Sequence, residues 1–269
     1  MRTLVSAPRC PLYLRPGIHC ELSDEALLGW SIDILGEPTP GWYHIQTDYG
    51  YTGYAPSHAL TQNENCLHRW DALPHRWVRR GICSVRSAPK VQGWQVTQLL
   101  RGAIVAIQGE ADSEGWQKLL LPDGQEGYTK SGFLSTPPQL TEEPDIRSHI
   151  AAAAKSYLGT HYLWGGKTQL GIDCSGLAFM AYRLSGFSIW RDAVLREEYP
   201  IHSIDPAARQ EGDLLFFPGH VALYLGDDLY IHSTAKNGSD GVVINSLRPG
   251  HPDYRPDLSK QLIGAGSLF

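Results

Sequence analysis

A chain of 269 residues has room for two or three domains, and 42% hydrophobic with 19% charged residues and a mean hydropathy of -0.26 is the composition of a globular protein. A formal net charge of -5 gives no support to nucleic-acid or anionic-membrane binding. The five cysteines are odd in number and widely spaced, with no Cys-x-x-Cys pair, so neither a disulfide framework nor a metal site is indicated.

Residues 1–10 lack the apolar run of a signal peptide, and no stretch approaches the roughly 18 apolar residues of a membrane span, so a cytoplasmic protein is expected. The first half carries an internal repeat. Gly41-Trp42 recurs as Gly115-Trp116, Gly50 as Gly124, Gly53-Tyr54 as Gly127-Tyr128 and Leu60 as Leu134, all at one offset. Upstream, Leu14-Arg15 is matched to Val85-Arg86 with a small change in loop length. Short β-rich runs at 31–35, 42–47, 104–107 and 116–121, separated by Gly, Pro and Asp turns, predict two small barrels over 1–64 and 78–136. Residues 65–77 read as a linker packed by tryptophans, and the proline-rich, acidic residues 137–144 as a semi-rigid one.

A third domain is expected over 145–269. Residues 145–158 have helical periodicity and stop at Gly159. A glycine-rich approach, Tyr162 to Gly171, then delivers Cys174 to the first turn of a helix capped by Asp173, with Leu177, Met180, Ala181 and Leu184 forming an apolar face. At such a position the helix dipole and free amides favour thiolate. Strands follow at 212–217, 220–225, 229–233 and 242–246, so helices precede an antiparallel sheet and the class is α+β. A cysteine nucleophile needs a base and a group to orient it. A three-residue turn at 226–228 sets Leu225 opposite Leu229 and His232 opposite Ala222, which puts His220 and His232 diagonally on one face, about 7 to 8 Å apart at Cα. A turn of even length would separate them.

Taken in order, Tyr162-Leu-Trp-Gly-Gly, Asp173-Cys-Ser-Gly-Leu, Gly212-Asp-Leu-Leu-Phe-Phe, Gly219-His-Val-Ala-Leu-Tyr-Leu and Tyr230-Ile-His-Ser closely resemble the NlpC-type cell-wall cysteine peptidases, a papain-like group. The repeated Gly-Trp and Gly-Tyr positions resemble bacterial SH3 domains. Together they resemble the subgroup of γ-D-glutamyl-L-diamino acid endopeptidases that process murein peptides with a free N-terminal L-alanine. The resemblance implies Cys174 as nucleophile, His220 as general base and acid, and His232 as its orienting group. It further implies that the Cys174 amide and Tyr162 serve the oxyanion, and that Asp173 and Ser175 meet the substrate amine. Trp164 would line the alanine pocket, although a core role for it stays open, and an acidic residue and a tyrosine from the first SH3 domain would complete the site. Glu21, with Glu25 in reserve, and Tyr51 align with those two positions. The implied partner is a murein tripeptide or tetrapeptide, with no cofactor; oligomeric state is not legible. The segment Ile189-Trp-Arg-Asp-Ala departs from the family's proline-led Pro-Arg-Asp pattern, and residues 194–201 are unlike it, which leaves open the wall on the diaminopimelate side of the cleft. The alternatives are an exported wall-remodelling enzyme, a non-catalytic wall-binding protein, and an acyltransferase or amidase on a related fold.

Overall fold

The computed structural model describes residues 1–269, in two compact units, Met1–Pro137 and Pro138–Phe269. In the first unit β1 (Arg2–Leu4), β2 (Arg9–Tyr13), β3 (Leu22–Leu27), β4 (Ser31–Thr39), β5 (Trp42–Thr47) and β6 (Thr52–Pro56) form one sheet. Helix α1 (Glu64–Asp71) follows. A second sheet holds β7 (His75–Val78), β8 (Ile82–Arg86), β9 (Gln95–Leu100), β10 (Ile104–Gln108), β11 (Trp116–Leu120), β12 (Glu126–Lys130) and β13 (Leu134–Ser135). The strand orders, β1-β4-β5-β6-β2-β3 and β13-β7-β10-β11-β12-β8-β9, are the same topology with β13 added.

The register corrects one sequence expectation. Tyr13 pairs with Tyr54 as Arg86 pairs with Tyr128, so the counterparts of Val85-Arg86 are Leu12-Tyr13 rather than Leu14-Arg15. Burial agrees: Leu12 and Val85 are both fully buried, whereas Leu14 is exposed. The stretch expected as a linker, 65–77, is instead built into the unit. Asn63 caps α1, Trp70 is buried with Leu4, Ala106 and Leu120, and residues 75–77 belong to β7. The two sheets also bond directly, Ile104 N donating to Leu28 O at 2.9 Å and Trp30 Nε1 to Gly102 O at 2.8 Å.

The second unit starts with α2 (Glu143–Lys155), which claims the last two residues of the expected 137–144 linker, Pro144 sitting where the first helical turn has no hydrogen bond to lose. A small hairpin, β14 (Lys167–Thr168) and β15 (Gly171–Ile172), leads into α3 (Cys174–Arg183). Every residue of α3 from Cys174 to Tyr182 is buried, so the helix is a core element and not the one-faced helix expected from its spacing. The remaining elements are β16 (His202–Ile204), β17 (Leu214–Phe217), β18 (His220–Gly226), β19 (Leu229–Thr234), β20 (Gly241–Ser246), α4 (Pro256–Ser259) and β21 (Gly264–Ser267). The sheet runs β16-β21-β17-β18-β19-β20, antiparallel throughout, with α3 packed on β18 and β19. No helix is long and apolar enough to cross a membrane.

The β18–β19 turn differs from expectation. Only Asp227 and Asp228 lie in the turn, both in the left-handed region at φ 50° and 61°, and Gly226 pairs with Leu229. Taken alone, that two-residue turn would put the histidines on opposite faces. A bulge between Tyr224 and Gly226 adds one residue and resets the register to Leu223 opposite Ile231, which brings His232 level with Ala222 after all.

Candidate active site

The approach to Cys174 is a close-packed backbone crossing. A Cβ on Gly176, in the first turn of α3, would come within 2.2 Å of the Gly166 carbonyl oxygen, so only glycine lets the loop cross the helix start. Asp173, extended at φ -92°, caps α3 by accepting from the Gly176 amide, and its other oxygen accepts from the Gly165 amide at 2.8 Å. Arg191, 1% exposed, completes the cap: Nη1 and Nη2 donate to the two Asp173 oxygens at 3.1 and 3.0 Å, and further to Ser175 Oγ at 2.8 Å and the Gly166 carbonyl at 3.3 Å. Ser175 Oγ also donates to Asp173 at 3.3 Å. Asp173 and Ser175 are thus placed beside the cysteine, and both are anchored by an arginine that sequence reasoning did not single out.

Cys174 is 7% exposed. Burial, then the Asp173 charge, push its thiol up to about 11, against the pull of the Val221 amide, Arg191 and the Ser175 amide. Desolvation thus opposes the thiolate that the helix terminus favours, and the balance lies toward the thiol.

His220 opens β18, next to the Val221 amide that bonds the thiol. Its Nε2 lies 2.7 Å from Nδ1 of His232, the two rings edge to face at 81°. His232 is fully buried on β19, and its Nε2 lies 2.9 Å from Oδ1 of Asn245. Burial lowers His220 to about 4, with a smaller push from Arg255; burial and then the neighbouring His220 lower His232 to about 3. Both imidazoles are neutral at pH 7, the state a general base requires.

Tyr162 is half-buried and bridges to Ile172; burial and then the Cys174 and Asp173 charges raise its hydroxyl pKa, so the hydroxyl stays neutral. Trp164 is 58% exposed, which excludes a core role for it. A narrow cleft lies beside Ser175, the residue after the nucleophile, bounded by Ser175 and Val221 on one side and by Trp190, Arg196 and Tyr199 on the other. The Arg196 guanidinium stacks on Trp190 at 3.9 Å, and Trp190 meets Tyr199 at 5.3 Å, so residues 190–199 form this wall. Glu21 and Tyr51 belong to the first unit. Glu21 is exposed just before β3, while Tyr51, in the β5–β6 turn, donates its amide to Thr47 Oγ1 at 2.9 Å; Glu25 is buried and paired with Arg9 at 2.6 Å.

Arg191 and Asn245 are the residues sequence reading missed. Arg191 lay in the segment that departs from the family pattern, which is a signal of a kind; Asn245 has none, being one polar residue in a strand.

A model of the NlpC/P60 family matches residues 159–255, and a model described as bacterial SH3 domain matches residues 83–135. The chain is 38% identical over 275 aligned positions, covering all of both proteins, to "Dipeptidyl-peptidase 6" of Lysinibacillus sphaericus. It is 26% identical to "Gamma-D-glutamyl-L-lysine dipeptidyl-peptidase" of Bacillus cereus, over 83% of this chain and 70% of that one. The fold matches a crystal structure of an NlpC/P60 family protein from Bacillus cereus with a TM-score of 0.81 at 20% identity, over 98% of each chain. A buried cysteine at a helix start, a neutral histidine pair on adjacent strands and a full-length relative converge on one conclusion: this chain belongs to the NlpC/P60 family of cysteine peptidases.

Proposed function

We propose that the protein hydrolyses the amide joining the γ-carboxyl of D-glutamate to a diamino acid, diaminopimelate or lysine, in murein peptides that carry a free N-terminal L-alanine. The observation that carries this reading is the contact of a neutral His220 with His232 at 2.7 Å, on the strand whose Val221 amide bonds the Cys174 thiol. The relatives named dipeptidyl-peptidases support the choice of bond.

In this mechanism His220 removes the Cys174 proton as the sulfur attacks the γ-carbonyl, because a thiol with so high a pKa does not ionise beforehand. The Cys174 amide, at the positive end of α3, and the Tyr162 hydroxyl stabilise the oxyanion. His220 then returns its proton to the leaving amine. Water, deprotonated by the same histidine, cleaves the thioester and regenerates the thiol. Asp173 and Ser175 present negative and polar atoms to the substrate ammonium, and we assign its remaining partners to Glu21 and Tyr51, with Trp164 beside the alanine methyl. Residues 1–64 are proposed as a second SH3-type module, on the shared strand order. We place this activity in the recycling of wall peptides.

The test is incubation with L-Ala-γ-D-Glu-meso-diaminopimelate and with its N-acetylated form, followed by mass spectrometry. Cleavage of the free amine alone supports the reading. Cleavage of both removes the amine-recognition role of Glu21 and Tyr51, and cleavage of neither, with peptide still bound, favours a wall-binding protein.

A further inference from the structure

Asn245, 8% exposed on β20, donates from Nδ2 to the main-chain carbonyl of Asp253 at 3.1 Å while its Oδ1 faces Nε2 of His232 at 2.9 Å. A carbonyl has no proton to give. The Asn245 nitrogen must therefore point at Asp253 and its oxygen at His232, since the flipped amide would set two oxygens against each other. An amide oxygen only accepts, so Nε2 of His232 carries the hydrogen. In a neutral imidazole the other nitrogen is then bare. Nδ1 of His232 accepts, and the 2.7 Å contact is a donation from Nε2–H of His220. His220 is left with Nδ1 as its unprotonated nitrogen. The ring of His232 is also held from rotating, being fully buried and edge-on to Tyr230 at 5.2 Å.

We propose that Asn245 is a positioning residue which, through His232, dictates that Nδ1 of His220 is the nitrogen that accepts the Cys174 proton. The inference rests on the reading of His220 as general base. It gives β20 a role in a site whose other members lie on α3, β18 and β19, and it makes the Asp253 carbonyl the fixed end of the chain of hydrogen bonds.

The experiment uses the full chain labelled with 15N in histidine. Long-range 1H–15N spectra near neutral pH separate protonated from bare ring nitrogens without any substrate. The expected wild-type spectrum has His220 and His232 both protonated on Nε2. Asn245→Leu keeps the volume but removes the acceptor: the His232 signals move toward an average of two tautomers, kcat falls about tenfold or more, and KM stays within about twofold. Asn245→Asp keeps an acceptor and adds charge, so the Nε2–H tautomer persists and the acid limb of kcat/KM moves to higher pH. A wild-type His232 protonated on Nδ1 overturns the proposal. So does an Asn245→Leu protein that loses stability and activity but keeps wild-type tautomers, which marks a structural role alone. The expected spectrum in a protein that cleaves no murein peptide supports the hydrogen-bond chain while retiring the proposed function.

Discussion

Arg191 holds both carboxylate oxygens of Asp173, at 3.1 and 3.0 Å, one residue before the nucleophile. Both side chains are almost wholly buried, so removing one strands the other's charge. Arg191→Met is expected to cost about 3 to 5 kcal/mol of unfolding free energy, the range for breaking a buried pair by deleting one partner. Arg191→Lys recovers only part of this, since an ammonium does not span both oxygens. Urea denaturation of the three proteins checks the order.

Reactivity of the thiol provides a second prediction. With the Cys174 pKa pushed up to about 11, alkylation by iodoacetamide at pH 7 should be much slower than for a free cysteine and should keep rising as pH increases beyond 9. Quantitative mass spectrometry of the Cys174 peptide measures it. A rate that levels off near neutral pH would show a preformed thiolate instead.

The histidine pair links stability to pH. Both groups have folded values below the ordinary 6.5, so between about 4 and 6.5 the unfolded chain binds more protons than the folded one. Stability is therefore fully present above that window and falls as pH drops through it, by up to about 1.4 kcal/mol per pH unit for each histidine. The double variant His220→Gln with His232→Gln should flatten the pH dependence of stability in this window, whatever its absolute stability.

Gly29 tests how the two barrels are joined. It sits at φ 80°, and a Cβ there would come within 2.2 Å of the Ile104 carbonyl oxygen, which belongs to the other sheet. Gly29→Ala is expected to lower the thermal midpoint of the first unit, with a cost of about 2 kcal/mol or more from the left-handed backbone and the backbone collision together. Gly41→Ala, at the same φ but with open space around it, should cost only the backbone part.

Much of the site was legible because its signals are local. Asp173 and Cys174 are adjacent and the glycines announce a tight approach, whereas the shared face of the histidines was reached through a three-residue turn that is in fact a two-residue turn plus a bulge. The repeat survived as two sheets of one topology. What escaped reading depends on contacts distant in sequence. The Arg191–Asp173 pair spans 18 residues and Asn245–His232 spans 13, with no periodic pattern to mark either. β21, Gly264-Ala-Gly-Ser267, has the composition of a turn, and it is a strand because Gly266 lies where a Cβ would strike Ile201 and because β16 and β17 pair with it on either side. Burial of the nucleophile was equally invisible, and it works against the expected ionisation.

The bulge in β18 makes the β18–β19 hairpin a parity device. Deleting one residue at the bulge, or adding one to the Asp227-Asp228 turn, rotates His220 or His232 to the far face and abolishes the pair, whereas doing both at once leaves the pair facing. This hairpin can therefore change length only by coupled steps: lineages or libraries that vary it one residue at a time lose activity first, even where the barrels and core remain folded.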